Sequence, residues 1–388
     1  MSALFSGLPP LALYIHVPWC VRKCPYCDFN SHAAGEQLPE QAYVEALLAD
    51  LREELPAAHG RPIRSIFIGG GTPSLFSAAA YQRLFSGVRE LIELSPDCEI
   101  TLEANPGTFE QAKFAAYREL GINRLSLGIQ SFAPAQLQAL GRIHGRDEAL
   151  SAASQARAAG FDNFNLDLMH GLPGQTLDEA LADLAQAIDL KPTHLSWYQL
   201  TIEPNTEYWS KPPRLPEDET LWDIQEHGQA LLAQHGYQQY ETSAYAQPQR
   251  EARHNLNYWQ FGDFIGIGAG AHGKLSHIHA DGTWQIQRRW KTRTPKDYLT
   301  ASKPFCAGKQ VISADELAFE FMMNALRLTQ GVPSALYAAR CGQTLDTLQV
   351  TLNTLRQRGL LVEDEQRLCA SAQGQMFLND LLQAFLPD

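Results

Sequence analysis

"YIHVPWCVRKCPYCDFN", residues 14–30, puts Cys20, Cys24 and Cys27 within eight positions, directly after an apolar, β-branched run. The run reads as a strand that empties into a cysteine loop. Three thiolates leave one position open on a tetrahedral zinc or on a four-iron cluster. A zinc site needs a fourth ligand, and His16, Asp28 or His32 are candidates. The spacing C-x3-C-x2-C lacks the paired C-x2-C knuckles of structural zinc sites, and thiolates are the usual ligands of iron–sulfur clusters. Spacing and position after a strand favour the cluster.

Outward from this loop, short apolar runs alternate with helical patterns. Strands are expected at 12–18, 65–70, 99–104, 124–130, 163–169 and 194–200, and amphipathic helices at 39–55, 108–121, 146–160 and 176–190. Strand-then-helix repetition implies an α/β fold with a parallel sheet, either doubly wound or a full or partial barrel, whose chemistry sits where strands end. Five of the six expected strands end near a carboxylate, an amide or the thiol set: the Cys20 cluster, Glu103, Gln130, Asp167 and Gln199. The other ends in Gly69-Gly70-Gly71-Thr72. A sheet that only held the fold together would not need so many polar groups along one rim.

The rest of the chain bounds the reading. It has 388 residues, 45% of them hydrophobic and 19% charged, with a net charge of −12, room for one large domain and a smaller one. The acidic balance argues against nucleic acid as a partner, because phosphate tracks need basic surfaces. The N-terminal stretch has no basic n-region and its apolar part is interrupted by Pro9 and Pro10, so no signal peptide is expected, and no apolar run is long enough for a membrane span. Seven cysteines without an export signal suggest reduced thiols and a cytoplasmic protein; the isolated Cys98, Cys306, Cys341 and Cys369 read as small buried hydrophobes. After residue 203 a Pro-rich loop leads to a helix (217–234), strand-like segments (237–246 and 263–271) and a basic segment with Arg288, Arg289, Lys291 and Arg293. That segment reads as a solvated loop, or as a surface for peripheral membrane contact. Helical patterns at 313–328 and 345–363, followed by a short two-stranded wing, suggest a winged-helix-like cap.

The cysteine spacing after the first strand, with Tyr26 between the last two cysteines, resembles the radical S-adenosylmethionine (SAM) superfamily. The resemblance implies a partial (β/α)6 barrel reaching to about residue 210. It also implies that Cys20, Cys24 and Cys27 hold three irons of a 4Fe–4S cluster whose open iron binds SAM. Gly70, Gly71 and Thr72 in "GGGTPS" match the superfamily's glycine motif. Glu103 matches the ribose-contacting carboxylate, and Tyr14, Tyr26, Gln130, Arg142 and Asp167 match further SAM-contacting positions.

Within the superfamily, "YIHVPWC", "LGIQSF", "GRIHGR" and "NLDLMHGLPGQT" resemble the oxygen-independent coproporphyrinogen III oxidase group along nearly the whole chain. That group comprises decarboxylating oxidases and haem chaperones of the HemW type. Phe29 stands where the oxidases carry a fourth cysteine, only about eleven residues precede the first strand, and "HNLNYW" (254–259) matches a chaperone motif. All three features favour the chaperone. The implied function is delivery of haem cargo to acceptor proteins such as membrane respiratory enzymes, with His254, Tyr258 and Trp259 contacting haem. Weaker haem candidates are His272, His277 and His279. A homodimer is compatible with this reading. The alternative is the oxidase, a radical enzyme of haem biosynthesis. The expected division is a core with its extension over 1–300 and a C-terminal helical cap over 301–388.

Overall fold

A computed structural model describes residues 7–107, 111–279 and 283–387. The start of the N-terminal arm and the first turn of the helix expected from 108 lie outside the described residues. A 12-stranded sheet organises the molecule. Its first six strands are β1 (Leu11–Val17), β2 (Ile63–Gly70), β3 (Leu94–Ala104), β4 (Arg124–Gln130), β5 (Phe164–His170) and β6 (His194–Gln199). Each pairs in parallel with the next, as the alternation with helices requires.

Side chains alternate across this sheet. Leu13, Ile15, Ile66, Ile68, Leu125, Leu127, Leu166 and Leu195 face outward into the main core, against α1 (Glu40–Ala58), α2 (Ala78–Leu91), α3 (Phe114–Glu119), α4 (Arg146–Ala158) and α5 (Leu177–Asp189). The intervening positions face the concave side and are mostly polar: Ser65, Glu103, Ser126, Asn165, Asp167 and Ser196. Apolar residues thus hold the barrel wall to its helices, which frees the inner face for chemistry. Ser77 caps the start of α2, and Thr176 and Glu179 form a reciprocal box at the start of α5.

Beyond β6 come α6 (Asp218–Gln234) and the hairpin β7 (Gln238–Glu241) and β8 (Ala244–Ala246), which continues the sheet antiparallel. The chain then crosses the concave face as α7 (Arg253–Trp259) and returns as β9 (Asp263–Ile267) to pair in parallel with β1. The parallel set therefore has a seventh strand beyond the six expected. β10 (His272–Ile278), β11 (Trp284–Lys291) and β12 (Cys306–Val311) extend that edge antiparallel. The sheet thus runs past residue 300, where the core was expected to end.

The basic segment expected to be a solvated loop or membrane contact is largely strand β11. Three of its four charges are committed internally. Arg288 pairs with Glu320, Arg289 Nη1 donates to Glu54 Oε2 at 2.7 Å, and Lys291 is buried between Asp50 and Glu54. These partners come from α1 and the C-terminal region, so the basic run locks the extension onto the barrel.

A second core lies in the C-terminal part, where α8 (Glu316–Ala325), α9 (Ala335–Cys341) and α10 (Gln349–Gln357) bring together Phe321, Tyr337, Leu352 and Leu355, joined by Leu381 from the short helix Leu378–Gln383. The helix expected over 345–363 is shorter. A 3-10 turn precedes α10, and Gly359 (φ +69°) ends the run. The wing is reduced to a two-residue pairing of Val332–Pro333 with Arg367–Leu368 and one bridge, Leu361 to Ala370.

Candidate functional site

At the C-terminal ends of β1–β6 a cavity of about 470 Å³ opens, lined by Cys20, Cys24 and Cys27 on one side and by Glu103, Gln130 and Asp167 on the other. All seven cysteines are free. Among the described residues no three His, Cys, Asp or Glu side chains converge as ligands of one metal ion would. A four-iron cluster makes no such demand, because each thiolate binds a different iron. His16 is already committed: Nε2 donates to Asn30 O at 2.9 Å, so Nδ1 accepts from the Tyr14 hydroxyl at 2.9 Å. Phe29, 57% exposed, stands on the lip of this cavity.

The glycine loop is welded to the cysteine loop. Gly71 N–H donates to Val17 O (2.8 Å) and Thr72 N–H to Trp19 O (2.7 Å). A Cβ on Gly70 (φ +118°) would meet the His16 ring at 2.5 Å, and one on Gly71 would meet Trp19 O at 2.5 Å. No side chain fits at either position, so glycine here is a condition of close approach between β1 and β2.

Arg142 bridges the cysteine loop and β4. Nη2 donates to Asn105 Oδ1 and Gly128 O, both at 2.7 Å, and Nη1 points to Cys24 Sγ at 3.7 Å, placing a cation beside the thiols. Gln130 ends β4 at a register shift with φ +68°, a left-handed conformation that a non-glycine residue adopts at some energetic expense. Its Oε1 accepts from Tyr198 at 3.0 Å. Asp167 accepts from Ser126 (2.9 Å) and Asn165 (2.8 Å). Glu103 Oε2 accepts from Gly70 N at 3.1 Å; burial, and then the nearby Asp167, push its carboxyl up to about 8. Glu103 is therefore mostly protonated at neutral pH, able to donate as well as accept.

The cavity thus brings together Tyr26, Gly70, Gly71, Thr72, Glu103, Gln130, Arg142 and Asp167 with the three cysteines. Tyr14 lies elsewhere. It lines a second cavity of about 620 Å³, which shares Asp28, Phe29, Gly70 and Glu103 with the first.

The "HNLNYW" residues are split. Tyr258 faces the second cavity, Trp259 and Asn255 the first, and His254 neither. The His254 ring is 1% exposed, with Nδ1 3.0 Å from Ser65 Oγ and Nε2 2.8 Å from the Tyr258 hydroxyl. Burial, and then Arg124, hold its pKa down to about 3. The expectation that this imidazole meets iron is not what this conformation offers: both nitrogens are taken, and α7 seals the ring beneath the strands. His277 is also turned away, against Arg289 and the His59 ring. His279 follows the end of β10 and lines neither cavity.

Several cavity residues were not anticipated from the sequence. Ser126, Ser196 and Tyr198 follow from strand alternation once the register is known. Arg327 carried no signal at all. It comes from the C-terminal part, sits 4.4 Å from the Trp259 ring centre and pairs with Glu241 at 2.9 Å, so the C-terminal region completes the cavity wall.

Comparison with known proteins follows the same division. Residues 14–187 match the radical SAM superfamily and residues 312–377 the HemN C-terminal domain. The chain is 51% identical to the heme chaperone HemW of Escherichia coli strain K12, over 98% of this chain and 99% of that one. It is 50% identical to the HemW of Haemophilus influenzae (98% and 99%) and 34% identical to that of Bacillus subtilis (96% and 98%). In fold it is similar to coproporphyrinogen III oxidase (HemN) of Escherichia coli, with a TM-score of 0.81 and 23% identity over 97% of this chain and 90% of that one. Among the described residues no helix is long and apolar enough to cross a membrane.

Proposed function

The chain belongs to the radical SAM superfamily and to its HemW family of heme chaperones, and from that premise we propose that it binds haem as cargo and passes it to haem-dependent acceptors, respiratory enzymes among them. A SAM-binding 4Fe–4S cluster is the resident cofactor in this reading.

The observation that carries the cofactor assignment is three free thiols on one wall of a polar cavity, with Phe29 in the sequence place of a fourth. Cys20, Cys24 and Cys27 would hold the cluster. When bound, it supplies an iron without a protein ligand, open to SAM, and a source of one electron. The Gly70–Thr72 backbone would receive the amino end of SAM. Glu103 would take a ribose hydroxyl, and its raised pKa lets it donate a proton into that bond. Gln130, Arg142 and Asp167 would meet the remaining polar edges. Arg142, beside Cys24, would offset the negative charge of the thiolates.

The test is anaerobic reconstitution with iron and sulfide. Wild type should turn brown and show a reduced-cluster EPR signal that SAM alters. Cys20→Ala, Cys24→Ala and Cys27→Ala should lose both features while keeping the far-UV circular dichroism. An unchanged visible spectrum in any of the three would remove that cysteine from the site. The oxidase reading shares the fold and the three cysteines; formation of decarboxylated product from coproporphyrinogen III under these conditions would restore it.

A further inference from the structure

We propose that the second cavity is the haem site, with His272 as the axial ligand of the iron and Arg293 as the partner of a propionate. This rests on the haem-chaperone reading above.

The cavity has the wall chemistry a flat macrocycle needs. Aromatic side chains reach it from four strands and one helix: Tyr14 from β1, Phe67 from β2, Phe264 from β9, Trp290 from β11 and Tyr258 from α7. Such faces pack against a porphyrin and keep water from the iron. At about 620 Å³ the cavity lies within the range of small-molecule sites.

An iron ligand must bring an unengaged imidazole nitrogen. His16 lines this cavity too, but both its nitrogens are bonded. His254 is bonded at both nitrogens and lines neither of the two cavities. His272 opens β10, is exposed, lines the cavity beside its cross-strand neighbour Trp290, and among the described residues makes no hydrogen bond through its ring. Partial desolvation, and then Arg288, lower its pKa from the usual 6.5, which favours the neutral ring with a free lone pair.

Of the two cations on the wall, Lys291 is consumed by Asp50 and Glu54. Among the described residues the Arg293 guanidinium makes one long bond, Nε to Asn30 Oδ1 at 3.4 Å, and keeps its charge for a carboxylate. Asp28 and Glu103 also line this cavity and are shared with the cluster cavity, which leaves Arg293 as the cation on its wall for a propionate. The shared residues make the two sites neighbours, so that occupancy of one can be felt at the other.

His254 then becomes a positioning residue that holds the Tyr258 hydroxyl, with Ser65 behind it. This explains why the "HNLNYW" histidine and tyrosine stand one helical turn apart.

The experiment is a visible-absorbance titration of the full-length, anaerobically purified protein with hemin. Wild type, His272→Ala, His254→Ala and Arg293→Ala are compared, with imidazole added back to the histidine variants. The expected result is saturable binding by wild type and a changed Soret band in His272→Ala. That variant should bind about tenfold or more weakly, with both properties recovered by imidazole. His254→Ala should keep the wild-type Soret maximum even if it binds less, and Arg293→Ala should weaken binding without moving the maximum. A wild-type spectrum in His272→Ala, or imidazole rescue of His254→Ala instead, would overturn the site while leaving the chaperone reading intact. Absence of saturable hemin binding by wild type would overturn both.

Discussion

The two ends of the barrel interior use the same residue types to opposite purposes. Near the N-terminal ends of the strands, α7 closes the concave face and most polar groups find an internal partner, Thr101 Oγ1 and Arg124 Nε being the buried exceptions among the described residues. Asn165 is the hub. Its amide donates to Ser126 and Asp167 and its carbonyl receives His194 Nδ1 (2.7 Å) and Ser196 N–H (2.9 Å), while His194 Nε2 meets Tyr240 at 2.9 Å. At the C-terminal ends, Glu103, Gln130, Arg142 and the thiols sit against open space. A buried polar group costs about 1–3 kcal/mol if left unpaired, so the lower layer is read as structure and the upper as a place prepared for ligands. Polarity on the inner face does not identify a site; what covers it does.

This comparison predicts a division of phenotypes. The largest stability effect should come from the lower hub. Asn165→Ala strands several buried partners, and urea denaturation should show a loss of about 3 kcal/mol. A loss below about 1 kcal/mol would mean that the network is not closed as described.

The next effect is in pH, where the two ends respond with opposite sign. His254 has its pKa lowered from 6.5 to about 3. As pH falls below about 6.5 the unfolded chain takes a proton that the folded chain refuses, and stability is lost on the acid side. Glu103 has its pKa raised from 4.5 to about 8. Its contribution is complete below about 4.5 and is lost as pH rises through about 8. His254→Gln should therefore flatten the acid limb of the stability–pH curve, and Glu103→Gln the alkaline limb. If each substitution alters the other limb, the assignment of the two layers is wrong.

The smallest effect belongs to the wall contributed by the C-terminal region. Arg327→Ala loses its contact with Trp259 and its pairing with Glu241, a change of about 1 kcal/mol. A shift several times larger would make Arg327 a structural tie between the two cores instead of a cavity residue.

The six parallel strands and their rim were legible because two signals coincide there. Outward positions are apolar with strand period, and C-terminal ends carry Cys, Gly, Glu, Gln and Asp in a spacing shared with a family. The antiparallel extension was not legible. "WQIQRRWK" (284–291) alternates weakly, and its basic residues look like surface because their partners, Asp50 and Glu54, lie more than 230 residues away. Burial of an ion pair depends on both partners, and a linear reading sees one at a time. The same limit hid the setting of His254. The motif marks the segment, but only the path of α7 across the concave face shows that its histidine turns inward while Tyr258 and Trp259 face two different cavities.

The most direct test of the central claim is transfer. Haem-loaded protein, freed of excess hemin, is mixed with the apo form of a haem-dependent respiratory enzyme, and the acceptor's own absorbance bands are followed in time. The account predicts that acceptor bands grow as the donor Soret band declines, faster than when an unrelated haem-binding protein is the donor. Haem that stays on the protein, or reaches the acceptor no faster than from that control, would contradict it.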